Sequence, residues 1–256
     1  MPGQPRIGHR VIELDEVDST NRYAAGERVR LYLPHGTAVL AHAQTHGRGQ
    51  RGRTWSTQRG LDLAVSFILL PRAFPAAHQF GLAKAAALAV HDVVVGAIER
   101  SGRTVPEVCI KWPNDVLVDG DKVAGILIAN ELQGALLSAA IVGIGLNVNS
   151  SGWPPDMRAT SLLQKTGVRH EVREVFSELA ARMEHWWGCL IAHADEVAQA
   201  YRARLWVRGR FAAFRLDGAP VMLRPLDVDN NGRLLAEDEA GRVGAFGLER
   251  LRFDRG

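Results

Sequence analysis

Apolar and polar residues alternate through HRVIELDEV (9–17), which predicts a strand, and DSTN then offers capping side chains ahead of a short helix, NRYAAGERV. GTAVLAHAQ (36–44) predicts a buried strand, as does LDLAVSFILL (61–70), which ends at Pro71. An alanine-rich helix with a broad apolar face is expected from Ala76 to Arg100. EVCIKWPNDVLV, KVAGILIANEL and ALLSAAIVGIGLNVN follow as strand-like stretches separated by turns such as DGDK. A loop with Pro154 and Pro155 leads to two more helices, VREVFSELAARMEHWWGCLIAH and DEVAQAYRARL.

Beyond about Arg208 the pattern shortens. RFAAFRL, PVMLRPLDV, RLLAEDE and VGAFGLERLRF alternate, with turn signals at Asp217-Gly218, Asn230 to Gly232 and Ala240-Gly241 between them. The expected architecture is α+β: a mixed sheet flanked by helices over residues 1–207, then a small all-β barrel over 208–256.

Composition narrows the class. The chain has 256 residues, 46% hydrophobic and 23% charged, the balance of an ordinary globular protein. A net charge of +3 is compatible with anionic ligands but too weak to define a nucleic-acid binder. Cys109 and Cys189 lack metal-ligand spacing and read as buried thiols of a reducing compartment. MPGQPRIGHRVIEL has no signal-like apolar stretch, and GALLSAAIVGIGLNVN is too short and polar for a bilayer span. A cytosolic protein without a membrane partner is expected.

Four blocks carry candidate chemistry. QTHGRGQRGRTW (44–55) sets three glycines and three arginines in one loop between two strands. Glycines let backbone N–H groups approach an anion, and arginines supply planar, permanently charged forks. A disordered Gly/Arg nucleic-acid tail is the competing reading, and the placement inside a folded region disfavours it. KWPNDV (111–116) delivers Asn114 and Asp115 at a strand end. KVAGIL sets Lys122 ahead of Ala124-Gly125, and GIGLNVN interrupts a strand at Gly143 and Gly145 before Asn147. Glycines inside a strand often mark close approach of a ligand.

Together and in this order, STN, QTHGRGQRGRTW, KWPNDV, KVAGIL and GIGLNVN resemble the biotin protein ligases, over nearly the whole chain. The resemblance implies ATP-dependent formation of biotinyl-5′-AMP and transfer of the biotinyl group to a lysine of a biotin carboxyl carrier domain. ATP and Mg²⁺ are then the cofactors and biotin the substrate. Ser19, Thr20, Asn21 and Gln44 would face the ureido ring, with Arg48 and Gly49 beside it, and Gln50 would meet the carboxylate end of biotin and of the intermediate. Lys122 would approach the biotin carboxylate, making Lys122 and Arg48 the candidate catalytic cations. Gly125, Gly143 and Gly145 would leave room for the valeryl tail. Arg51, Arg53 and Trp55 would close over the nucleotide, with Asn114, Asp115 and Asn147 near its phosphates and Asp115 a ligand for Mg²⁺. Gln50 departs from the family's usual GRGRRGR, losing a permanent charge, and His46 stands where alanine is usual. A lipoate or octanoate ligase or transferase of the same fold is the alternative. Eighteen residues precede Ser19, too few for a helix-turn-helix, so no DNA binding is expected; a homodimer stays open.

Overall fold

The computed structural model describes residues 5–154 and 156–254; Pro155 of the predicted loop lies outside the described residues, as do the chain's extreme ends. In chain order the elements are β1 (Arg10–Leu14), α1 (Thr20–Arg30), β2 (Thr37–Ala41), β3 (Leu63–Leu69), β4 (Phe74–Pro75), α2 (Phe80–Arg100), β5 (Val108–Lys111), β6 (Asp115–Val118), β7 (Asp121–Gln133) and β8 (Leu136–Leu146). Then come α3 (Leu162–Thr166), α4 (Val172–Ala192), α5 (Ala194–Ala203), β9 (Ala212–Leu216), β10 (Ala219–Val228), β11 (Leu234–Asp238), β12 (Val243–Phe246) and β13 (Leu251–Phe253). The first eight strands form one mixed sheet in the order β1-β2-β3-β8-β7-β6-β5, with β4 added beside β8. Only β1 and β2 run parallel; the other ladders are antiparallel.

Strand periodicity explains the layering. Leu63, Val65, Phe67 and Leu69 of β3 point to the face covered by α2 and α4, where Phe67 stacks on Phe176. Ala38 and Leu40 of β2 and Ala140, Val142 and Ile144 of β8 join the same core. The opposite face is covered near β2 by α1, whose Ala24 packs with Val39, Ile68 and Ile141. Sheets covered on both faces are built from continuous apolar runs, which is why β3 is buried from end to end. Among the described residues one helix, Ala76–Arg100, has the length and hydropathy of a bilayer span, and most of it is buried in this core.

Several local expectations shift. Ser19 sits at the N-cap of α1 without a side-chain capping bond; the Thr20 N–H instead donates to Gln44 Oε1 at 2.9 Å. EVCIKWPNDVLV folds back on itself as the β5–β6 hairpin, because Pro113 cannot continue a ladder and Lys111 pairs directly with Asp115. VGAFGLERLRF likewise divides into β12 and β13 around a turn closed by Leu251 N–H to Gly247 O. The short α3 was not legible as a helix.

The last five strands form a second sheet in the order β12-β11-β10-β9-β13, with no ladder between the two end strands among the described residues. Its buried Phe214, Leu223, Leu234 and Leu251 are continuous with the main core. The bonds that tie it to the preceding part of the chain include one from Trp112 Nε1, beside β5, to Gly232 O at 2.9 Å and one from Lys84 Nζ of α2 to Val228 O at 2.7 Å. Lys84 is buried, and burial lowers its pKa.

Both cysteines are free thiols, and they differ in setting. Cys109 is buried on β5, where burial pushes its thiol up to about 12, whereas Cys189 on α4 is half-buried, not fully buried as expected. Alkylation needs an accessible thiolate. Iodoacetamide at neutral pH should therefore label Cys189 and spare Cys109 in native protein, as read by peptide mass spectrometry; labelling of Cys109 at the same rate would contradict this.

Candidate functional site

The face of the main sheet away from α2 and α4 carries a strip of small residues beside α1. Registers Ala64↔Gly145, Gly145↔Gly125 and Gly125↔Asp115 align one row across β3, β8, β7 and β6. Ser66↔Gly143 begins the neighbouring row. With side chains alternating between faces, these residues share one floor, smooth in the middle and polar at both ends.

One polar end is built where α1 meets β3. Thr20 donates through N–H and Oγ1 to Gln44 Oε1 at 2.9 and 3.2 Å. Ser66 Oγ lies 2.8 Å from both Thr20 Oγ1 and Asn21 Oδ1, and Asn21 Nδ2 donates to Leu127 O at 2.9 Å. Ser19, Thr20 and Ser66 are buried. The side chain of Asn21 stands where a Cβ at Gly143 would be, so only glycine lets it lie flat on the strand. Ser66 is a member of this cluster that the motif reading missed. Its signal was a lone hydroxyl inside the apolar run LAVSFIL.

At the other end Lys122 Nζ lies 2.6 Å from Asp115 Oδ1, on a pair that is only partly exposed. Asp115 Oδ1 is buried and accepts no well-directed hydrogen bond, so the contact is ionic in character. The same ammonium sits 5.3 Å from the centre of the Trp55 indole. Lys122 is fixed along its backbone by Arg158 O and Thr160 N–H, each at 3.0 Å. Asn147 is buried and braces this junction, donating from Nδ2 to Thr160 O at 2.9 Å.

The arginine loop is a closed hairpin. Trp55 N–H donates to Gly47 O at 2.9 Å and Gly49 N–H to Arg53 O at 2.7 Å, with a one-turn 3₁₀ segment over Gln50–Gly52 at the tip. Arg51 there adopts left-handed φ 56°, ψ 42°. Arg48, Arg51 and Arg53 are exposed, and among the described residues none has an acidic partner. The hairpin lays the Trp55 indole across the floor. A Cβ at Gly145 would fall inside the ring, and one at Gly125 would stand 3.1 Å from Cζ3.

Of the predicted residues, Arg48, Gly49, Arg51 and Arg53 lie on the hairpin, Asn147 braces the Lys122 junction, and the rest fall into three groups. Ser19, Thr20, Asn21, Gln44 and Gly143 meet at one end of the floor; Gly145, Gly125, Trp55, Lys122 and Asp115 meet along it and at its other end. Gln50 and Asn114 lie apart from both, lining a cavity of about 200 Å³ with Phe80, Ile128 and Asn231. Asn114 donates from Nδ2 to Ile126 O at 2.7 Å, extending the β6 edge. Among the described residues no three His, Cys, Asp or Glu side chains converge as a metal cage.

A floor with hydrogen-bonding groups at one end and an ammonium at the other, beside three unpaired arginines, defines a protein that binds an elongated carboxylic acid next to a second anion. Comparison with known proteins gives that class a family. The model of the biotin/lipoate A/B protein ligase family matches residues 13–147. A biotin–[acetyl-CoA-carboxylase] ligase of Paracoccus denitrificans is 33% identical over 241 residues, 90% of this chain and 91% of that protein. The bifunctional ligase/repressor BirA of Bacillus spizizenii is 31% identical over 243 residues, 92% of this chain and 71% of that protein. The structure of biotin protein ligase from Aquifex aeolicus in complex with biotin and ATP aligns with TM-score 0.74 at 28% identity, covering 97% of this chain and 100% of that one. The chain belongs to the biotin/lipoate A/B protein ligase family.

Proposed function

We propose that the chain is a biotin protein ligase, which converts biotin and ATP to biotinyl-5′-AMP and pyrophosphate and then biotinylates a lysine of a biotin carboxyl carrier domain. The observation that carries this reading is the polarity of the floor: Thr20, Gln44 and Ser66 at one end, Lys122 at the other. Biotin has a polar ureido ring, a methylene chain and a carboxylate in that order. The dithiolane of lipoate and the alkyl chain of octanoate have nothing to pair with buried hydroxyl and amide groups, which strongly disfavours them.

In the first step the biotin carboxylate attacks the α-phosphorus of ATP. Both reactants are anionic, so near-attack contact needs fixed cations. Lys122 is placed to receive the carboxylate, and Arg48, Arg51 and Arg53 are the exposed charges available to the phosphates. Asp115 is a lone carboxylate, which fits an Mg²⁺ ion that takes its other ligands from nucleotide and water; the ion would neutralise phosphate charge. In the second step the neutral carrier amine attacks the mixed anhydride and AMP leaves. That anhydride hydrolyses in water, so the hairpin that covers the floor also protects it. A cytosolic site of action goes with these substrates.

The test is direct. Purified protein with Mg²⁺ and ATP should release pyrophosphate on addition of biotin and not of lipoate, then label a carrier domain. Well-folded protein that releases no biotin-dependent pyrophosphate would sink the assignment.

A further inference from the structure

We propose that Ser66 is a positioning residue for the head of the acid: its hydroxyl holds Thr20 and Asn21 in place, and turns its single proton from Asn21 to Thr20 when a ring N–H of the ligand arrives. The proposal rests on the biotin reading above. Ser66 is fully buried, so it acts on the ligand only through these two neighbours. Three observations carry the role. First, packing gives Ser66 no reason to be polar. It stands in β3 within LAVSFIL, buried from end to end, where a hydroxyl is costly without partners. Its partners both come from the first turn of α1, Thr20 Oγ1 and Asn21 Oδ1, each at 2.8 Å. Second, apolar packing holds that turn weakly. Ser19 makes no side-chain capping bond, and within α1 only Thr20 and Ala24 are buried.

Third, the cluster has fewer hydroxyl protons than acceptors. Backbone groups orient both amides: the Thr20 N–H fixes Oε1 of Gln44, and Leu127 O fixes Nδ2 of Asn21. Asn21 Oδ1 therefore brings no proton to Ser66, and the Thr20 hydroxyl gives its own to Gln44 Oε1. One Ser66 proton faces two acceptors at equal distance. In the empty site it serves Asn21 Oδ1, on a side chain that is half-buried and so within a ligand's reach. A ureido N–H donating to that oxygen frees the Ser66 proton for Thr20. An unbroken chain then runs from Ser66 through Thr20 to Gln44, each bond strengthening the next. Asn21 is satisfied in both states and keeps its place over Gly143. Without the Ser66 hydroxyl its oxygen has no donor in the empty site, and binding must first restore that place.

The experiment compares the full chain as wild type, Ser66→Ala, Asn21→Ala and the double variant, by calorimetry with biotin and no ATP. Ser66→Ala should bind biotin about 5- to 30-fold more weakly than wild type. The losses should not multiply, because Ser66 works through Asn21: the double variant should bind much as Asn21→Ala does. The loss in Ser66→Ala should also be confined to biotin. With biotin saturating, pyrophosphate release should keep its wild-type rate and its KM for ATP. Wild-type affinity in Ser66→Ala, losses that multiply in full, or a KM for ATP that rises along with the biotin Kd overturns the proposal alone. No heat with biotin from the wild type overturns the biotin reading, and the proposal with it.

Discussion

Replacing Lys122 by alanine will slow formation of biotinyl-AMP by about 10- to 150-fold, the equivalent of a lost charge-assisted contact of about 1.5–3 kcal/mol. The effect exceeds that of removing a surface lysine because of what the ammonium now faces. Its Nζ is 2.6 Å from Asp115 Oδ1, and the two side chains are 33% and 20% exposed. Removing it leaves a shielded carboxylate at the spot where a second carboxylate must arrive. Lys122→Ala should therefore weaken biotin binding as well as slow chemistry. The double variant Lys122→Ala/Asp115→Asn relieves the repulsion and should recover biotin affinity without ATP, whereas its adenylation should stay slow because both the cation and the proposed Mg²⁺ ligand are gone. Single-turnover pyrophosphate release and calorimetry read the two quantities. Near-wild-type adenylation in Lys122→Ala would reduce the residue to an ordinary ion-pair partner.

Gly47→Ala is expected to lower adenylation by about 5- to 150-fold, for a steric reason worth about 1–3 kcal/mol. A methyl group at Gly47 would overlap the Trp55 carbonyl and stand 3.0 Å from Gln44 Nε2. Backbone cannot give way as a side chain does, so the Gly47–Trp55 pairing must open, shifting Arg48 on one side and Gln44 on the other. Gly47 is buried at the base of the hairpin, so the same cost of about 1–3 kcal/mol should lower the melting temperature by roughly 2–12 °C and no more. A large drop in melting temperature together with the lost activity would mean that the substitution acts through global stability instead.

How much of this was legible beforehand depends on the range of each interaction. Lys122 and Asp115 were both singled out, but their pairing was not, because it depends on a bulge between Val116 and Leu117 that sets the β6–β7 register. The resemblance implied that Gly125 and Gly145 leave room for an acyl tail, and register puts them opposite one another. That Trp55 lies on that floor follows from a hairpin closed by Gly47, which no periodicity encodes. Ser66 escaped notice because a single serine within a strand is uninformative until Thr20 and Asn21 arrive from another element. The division of the KWPND stretch into two strands was signalled by Pro113, whereas the role of Trp112 was not: its partner, Gly232, is 120 residues away.

That last bond bears on how such a chain could be cut or recombined. An indole donor from the KWPND hairpin and a buried ammonium from α2 both end on carbonyls of the second sheet, Gly232 O and Val228 O. A break near Arg208 would fall in a convenient loop, yet it would strand both donors on the larger fragment and open an apolar wound where Phe214, Leu223 and Leu251 had packed. The change of texture in the sequence falls between α5 and β9, the first strand of the second sheet, but the two parts are knitted by groups that neither can satisfy alone. Fusion partners and split-protein breakpoints belong elsewhere, on exposed surface turns such as Ala240-Gly241, whose hydrogen bonds run locally between Asp238 and Ala240 or Arg242.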